Sequence, residues 1–579
     1  KRADMSRRIL SLVLLVSFAT PAQAREALDF ETMTSGAYRS SVDFSAYAPP
    51  ADAKPPSHRF EGRLQISGKP STRTLVANRD YLDAADIAVS KTWPGDFDYA
   101  FVQHGDVLIP QRRGPMRSSH AWWEVILEPG RAWDEPGDHG YTRAAIPFAL
   151  TQKNANCTHN GVLMILFDDN RVLKRAAMQI GSETCLYLQR DMWGWLDAQY
   201  TPQPLADADA LAGEYTREVV ARLPTKPLSA LASASEDIDV DALAIGAAAA
   251  RTRHGVFYNG IHYVSNCPTR HGDYPYCEVL DVPSYSVAKS VVAATALMRM
   301  EKLYPGTAKK PVSPLVPATG CRGQAWQDVD LLDLLDMATG HYDSAAYMAD
   351  EDAAKITGFF KPADYAHKLA FACEAWPHAT GPGTTWVYHT PDTYLLGVAL
   401  QNDFKQQPGR KGQDLFTNLL DADIYAPLHL SPTARTTRRS YDATAQPFFG
   451  FGLFLHADDL VKLARFLGPD RGRIDGQPLL DESLLDEALQ RDPQHRGLQA
   501  AHLANFRYQH GFWARNLQKE LGCEEPTWVP FMSGFGGILV VLLPNGAIWY
   551  SAADDGELAS INFAKPAIEL AKLGAVCSR

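Results

Sequence analysis

The chain has 579 residues, 46% of them hydrophobic and 21% charged, with a net charge of −11. It is too long for a single hydrophobic core and has the balance of a folded protein of two or three domains. The acidic balance, without a long basic run, argues against nucleic acid as the main partner.

Lys1 to Asp4 precede Met5, after which Arg7-Arg8, the apolar run Ile9–Ala19 and Ala22-Gln23-Ala24 follow in order. A basic segment, a short apolar segment and an A-x-A site predict a signal peptide cut before Arg25, and so a periplasmic or secreted protein. The run is too short for a bilayer, which needs about 20 residues, and no membrane span is expected. Eight cysteines follow, with no C-x-x-C to suggest zinc or a thioredoxin-like centre. In an exported chain an even number suggests disulfides. The simplest pairing is sequential: Cys157–Cys185, Cys267–Cys277, Cys321–Cys373 and Cys523–Cys577, although spacing leaves the connectivity open.

Residues 25–200 read as a β-rich, sandwich-like domain. The runs 97–110, 120–130, 144–153, 161–170 and 171–181 are short, apolar and separated by Gly, Pro and Asp turns. Trp93, Trp122, Trp123, Trp133, Trp193 and Trp195 are either core residues or a platform for glycan contact. His104, His120 and His159 are scattered, and no catalytic constellation stands out here. Residues 201–225 form a linker within a stretch, reaching about residue 252, that is rich in Ala, Pro and acids and partly helical in pattern.

Residues 226–579 form the second domain. A hairpin is expected over 254–267, then the Ser284–Met300 helix, then a periodic helix over 328–340 ending at Thr339-Gly340, where glycine suits a C-terminal cap. Helical patterns recur at 363–376, 393–401, 457–468 and 482–490. Strands return at 509–516, 531–544 and 546–555, and a last helix covers 561–575. Strands, a long helical insert, then strands and a helix make an α/β (α+β) arrangement, with the terminal helix on a sheet built from both ends of the domain.

Ser286 and Lys289 lie three residues apart near the start of an Ala- and Val-rich helix, so they share a face. At an ordinary pKa of about 10.4, fewer than ~1 lysine in 1000 is neutral at pH 7; burial disfavours the charge and makes a better base, and with it a serine nucleophile. A lone S-x-x-K decides nothing. Here it is followed by VDLLDLLDMATGHYDS (329–344 with Asp328 before it), GPGTTWVYHTPDTYLLGVAL (381–400), IYAPLHL (424–430), FGLFLHADDLVKLARFL (451–467) and FMSGFGGILVVLLPNG (531–546).

In this order these segments resemble the β-lactamase-like serine hydrolases over residues ~250–579, most closely the branch of class C β-lactamases, D-aminopeptidases, carboxylesterases and 6-aminohexanoate-dimer hydrolases. The resemblance implies an antiparallel sheet flanked by helices, with Ser286 as nucleophile, Lys289 as its base or proton shuttle and Tyr388 as a second proton-transfer group, either of the two being the main base. It also implies that Ser286 and Phe535 offer oxyanion N–H groups, and that Ser533, Gly534 and Thr390 line the substrate site. No metal or organic cofactor is implied. The chain departs from the family at Thr390, where the lactamases have Asn, and at Met532, where they have Lys or His to grip a substrate carboxylate. The expected activity is cleavage of an ester or amide through an acyl-enzyme. The alternatives are a peptidoglycan-directed D-amino-acid peptidase or weak β-lactamase, and a non-catalytic binding protein that keeps the cleft.

Overall fold

The computed structural model describes residues 27–577, except 236, 502 and 555–562. The expected signal peptide and Asp555 lie outside the described residues. Among the described residues no helix is long and apolar enough to cross a membrane.

The N-terminal part forms one ten-stranded sheet of β1 (Glu61–Ser67), β2 (Ser71–Ala77), β3 (Phe97–His104), β4 (Val107–Pro110), β5 (Trp123–Leu127), β6 (Gly130–Asp134), β7 (Thr142–Gln152), β8 (Thr158–Phe167), β9 (Val172–Thr184) and β10 (Leu188–Pro202). The β-rich expectation holds, but in place of two stacked layers β1 pairs with both β3 and β10, so the sheet closes into a barrel. Closure satisfies the edges that an open sheet leaves unpaired. The inward face carries Phe60, Phe101, Val125, Ile146, Phe148, Leu163, Ile165 and Met178. Alternate residues on the outer face, Ala145, Val162, Met164 and Ala177, are buried too, in a cluster shared with the second half of the chain. Burial on both faces explains why the Val162–Phe167 run is continuously apolar rather than alternating. The stretch expected as a linker carries the helix Ala208–Val220. Its Ala208, Leu211 and Tyr215 pack on Val102, Val107 and Ile109 of the barrel.

The second sheet has nine strands, and residues 225–264 pair with strands from 498–553. It is thus built from both ends of this half, as expected. Tyr258 pairs with Ile261 around Asn259-Gly260, whose φ values of 48° and 79° suit a type I′ hairpin. Ala567 and Leu570 of the terminal helix Ala564–Leu570 are buried in the same apolar cluster as Val541 and Trp549 of the sheet. The helix expected to run to Gly340 is shorter. It spans Leu331–Leu335 with a capping box from Asp330 and Asp333, and Met337 (φ 50°) turns the chain away. All four sequential disulfides are present.

The barrel and the second half meet through buried polar contacts. Arg438 pairs with Glu124 and donates to Thr151 Oγ1 at 2.8 Å. His456 Nε2 lies 3.3 Å from Glu128 Oε1 and 4.0 Å from Asp281 Oδ1. Burial opposes the imidazolium charge, but Glu128, Asp459 and Asp281 together push His456 up to about 9. Burial, with the charge of Glu128 added, pushes the Asp281 carboxyl well above the carboxylate range. These three groups form a coupled, buried ion network between the two halves.

Candidate active site

Ser286 stands on a short turn held from two sides. Ser284 N–H donates to the Leu453 carbonyl at 2.9 Å, and Leu453 N–H returns a bond to Ser284 Oγ at 3.2 Å. Tyr285 takes φ +40°, a conformation sparsely used by non-glycine residues, and Tyr285–Val287 form one 3₁₀ turn. A six-residue π-helical segment, Lys289–Ala294, precedes the α-helix Thr295–Leu303. Such segments are rare and concentrate at functional sites. From the sheet side, a Cβ on Gly534 would come within 2.7 Å of the Ser284 carbonyl, so only glycine lets the Trp528–Gly534 strand lie this close.

The barrel fixes the same turn. Asn156 donates to the Leu453 carbonyl at 3.1 Å and accepts from Gly452 N–H at 2.7 Å. Asn160 likewise donates to the Asp281 carbonyl at 2.9 Å and accepts from Asp281 N–H at 3.1 Å. Leu453 holds Ser284, so Asn156→Ala is expected to leave the buried Gly452 N–H unpaired and the Leu453 carbonyl with the Ser284 N–H alone. The cost is about 1–3 kcal/mol, read as a lower urea midpoint at constant m, with kcat falling while KM holds. An unchanged midpoint and kcat would contradict this anchoring.

Ser286, Lys289, Tyr388 and Thr390 are brought together. Lys289 Nζ lies 3.1 Å from Ser286 Oγ, 3.0 Å from Thr390 Oγ1 and 3.4 Å from the Gly450 carbonyl. Tyr388 OH donates to Ser286 Oγ at 2.7 Å, and the ammonium sits 4.9 Å from the centroid of the Tyr388 ring. Lys289 is only 2% exposed. Burial drives its pKa down to about 8, against the opposing pull of Glu351 and Asp392. Burial, and then the charge of Glu351, push the Tyr388 hydroxyl well above the ordinary tyrosine range. The phenol is therefore protonated at neutral pH. Enclosed by Trp386, Trp513 and Tyr508, the hydroxyl serves as a donor.

The departure from the family pattern at Thr390 has a structural partner. Thr390 opens the helix Thr390–Gln406; its hydroxyl donates to Glu351 Oε1, and its N–H to Glu351 Oε2 at 3.0 Å. Next door, Asp350 Oδ2 lies 3.0 Å from His389 Nε2, and His389 stacks on Trp376 with centroids 3.9 Å apart. His389 is thus a wall residue. Asp392, one turn into the helix, is buried, and burial raises its carboxyl to about 7.

At the third motif, Met532 is fully buried in the apolar core and offers no cation. Ser533 and Gly534 pair with Leu539 and Ile538, and the chain turns at Phe535-Gly536-Gly537, where Gly536 and Gly537 have φ of 86° and 118°. The Phe535 ring lies 5.5 Å from Tyr285, 5.8 Å from Tyr81 and 6.1 Å from Tyr187, so the barrel reaches the edge of the site. Trp93, Trp122, Trp123 and Trp133 are buried as core and are not displayed as a glycan platform. His510 is clamped between Asp336 and Glu487. Sequence reasoning missed Glu351 and Gly450. No motif marks either, and Glu351 stands in an acidic run, Asp350-Glu351-Asp352, that reads as a solvated face.

A serine in contact with a buried lysine and a tyrosine, beside a glycine-bearing strand, defines a serine hydrolase. The Beta-lactamase family model matches residues 279–552, the span holding all of these groups. No curated protein matches the chain. Among solved structures, a penicillin-binding protein homologue from Caulobacter crescentus is 14% identical, covers 61% of this chain and 99% of its own, and superposes with a TM-score of 0.40. The D-alanine carboxypeptidase AmpC from Burkholderia cenocepacia is 15% identical, with coverage of 63% and 99% and a TM-score of 0.36. EstCE1, a hydrolase with promiscuous acyltransferase activity, is 14% identical, with coverage of 62% and 99% and a TM-score of 0.41.

Proposed function

We propose that the protein is an exported hydrolase that cleaves an uncharged ester or amide through an acyl-enzyme on Ser286. The observation that carries this reading is the hydrogen-bond count at Lys289. A neutral amine has two N–H donors and one lone pair. Thr390 Oγ1 and the Gly450 carbonyl engage both donors, which leaves the lone pair for the Ser286 hydroxyl. Ser286 then passes its proton to Lys289 as Oγ attacks the carbonyl carbon. The N–H groups of Ser286 and Phe535 receive the oxyanion. The Tyr388 hydroxyl, which donates toward Ser286 Oγ, gives its proton to the leaving group and regains one from Lys289, and water repeats the sequence to release the acid. The four disulfides support export. The chain divides in this reading into the leader, a barrel domain over 25–200, a connecting stretch over 201–225 and the hydrolase domain over 226–579.

Met532 favours uncharged substrates, because the family position that grips a carboxylate is apolar here. A charge-assisted hydrogen bond of about 1.5–3 kcal/mol is missing. The test is a matched pair of chromogenic esters, one neutral and one carrying a carboxylate, run beside a penicillin. The neutral ester is expected to have a kcat/KM about 10- to 100-fold higher, with no stable penicillin adduct. A preference for the carboxylate ester, or rapid acylation by penicillin, would favour the peptidase or lactamase reading. Ligand-induced stabilisation without turnover on any substrate would favour the binding-protein reading.

A further inference from the structure

The loop that follows the shortened helix Leu331–Leu335 brings two adjacent carboxylates against the start of the helix Thr390–Gln406. Asp350 accepts from Asp343 N–H at 2.9 Å and Ser344 N–H at 3.1 Å, which fixes the loop, and it meets His389 on the helix side. Glu351 then takes both the N–H and the hydroxyl of Thr390. A threonine hydroxyl has one proton. Once that proton is directed at Glu351, the oxygen's lone pairs face the other way, and there Lys289 Nζ stands at 3.0 Å. An asparagine at this position would need no such help, since its amide carbonyl is an acceptor in any case.

We propose that Glu351 is a positioning residue of this hydrolase, a role that rests on the reading of Ser286 and Lys289 given above. By holding the Thr390 hydroxyl as an acceptor, it engages one Lys289 donor and turns the lysine lone pair toward Ser286. The chain thus replaces the family's asparagine with a threonine–glutamate pair. The carboxylate also acts on Lys289 electrostatically, favouring its ammonium form, as does Asp392; Tyr388, Thr390, Ser286 and the Gly450 carbonyl also face it. His389 faces Asp392 at 3.9 Å and is already paired with Asp350.

The test uses the full chain with a neutral ester. Glu351→Gln keeps one acceptor oxygen but loses the charge and half of the Thr390 contact. It is expected to lower kcat on the order of 100-fold, the cost of displacing a catalytic group by ~1 Å, at constant KM. Neutral lysine is the active form, and removing a carboxylate disfavours the ammonium, so the rising limb of the pH–rate profile moves to lower pH. Thr390→Val is expected to lose activity similarly, and Thr390→Val/Glu351→Gln to lose no more than either alone. Thr390→Asn is expected to restore activity in the Glu351→Gln background. Losses that multiply in the double variant, a limb that does not move, or failure of Thr390→Asn to rescue would each overturn the proposal. Slow fluorophosphonate labelling of Ser286 that persists in Glu351→Gln separates this outcome from failure of the serine-hydrolase reading, in which Ser286→Ala itself would still be labelled.

Discussion

Ser286→Ala is expected to lower kcat on the order of 10⁴- to 10⁶-fold while leaving the fold intact. The side chain lost is one hydroxyl. Its partners, Tyr388 OH and Lys289 Nζ, keep other contacts: Lys289 with Thr390 and Gly450, and Tyr388 with its aromatic enclosure. The turn stays tied by Ser284 to Leu453. Melting temperature and circular dichroism should match those of the parent, and substrate should still bind with a comparable Kd. A variant that keeps more than about a hundredth of the parent rate would mean that another nucleophile performs the reaction.

Lys289→Met is expected to remove activity and stabilise the protein at the same time. For activity, the neutral amine is the working form, so the parent rate should rise through a pKa of about 8 and then level off. The variant should lose at least ~100-fold, the ordinary contribution of a positioned base, and should lose this limb as well. For stability, the folded pKa lies below the unfolded value of 10.5. The folded state binds the proton less well, so the lysine's penalty is fully present below pH 8 and is lifted as pH rises from 8 to 10.5. A tenfold loss of proton affinity on folding corresponds to ~1.4 kcal/mol. Replacement by a methionine of similar length should remove up to roughly 3 kcal/mol of that penalty at pH 7, less the hydrogen bonds given up. Urea unfolding of parent and variant at pH 7 and pH 10.5 checks the sign: the gap should be large at pH 7 and small at pH 10.5. A variant less stable at pH 7 would contradict the desolvated-lysine account.

Much of the site was legible in the sequence, because acyl transfer demands particular residues at fixed spacing. Ser286 and Lys289 share a face at i and i+3, and Tyr388 falls in the second motif. Gly534 marks where a strand must pass close to the Ser284 carbonyl. The Asn259-Gly260 hairpin was readable from turn chemistry and the presence of disulfides from compartment, while their connectivity was left open until the structure paired them sequentially. Other features depend on contacts that no local pattern records. Barrel closure rests on Gly62 meeting Pro202 across the length of the domain, and apolar runs buried on both faces look alike in sandwiches and barrels. The early end of the Leu331–Leu335 helix turns on a left-handed methionine, where periodicity continues undisturbed to Gly340. Glu351 was invisible because an acidic run is normally solvated; only its place against the Thr390 N–H gives it a role. The barrel's part in holding Ser284 was equally hidden, since Asn156 and Asn160 are ordinary strand-region residues until their amides are seen clamping the backbone of the other half.

The central claim is that Ser286 is the nucleophile. The direct measurement is to treat the full chain with a fluorophosphonate probe, digest it and locate the adduct by mass spectrometry. One adduct is expected, on Ser286, forming faster as pH rises through about 8 and absent from Ser286→Ala. An adduct on any other residue, or equal labelling of the Ser286→Ala variant, would contradict it.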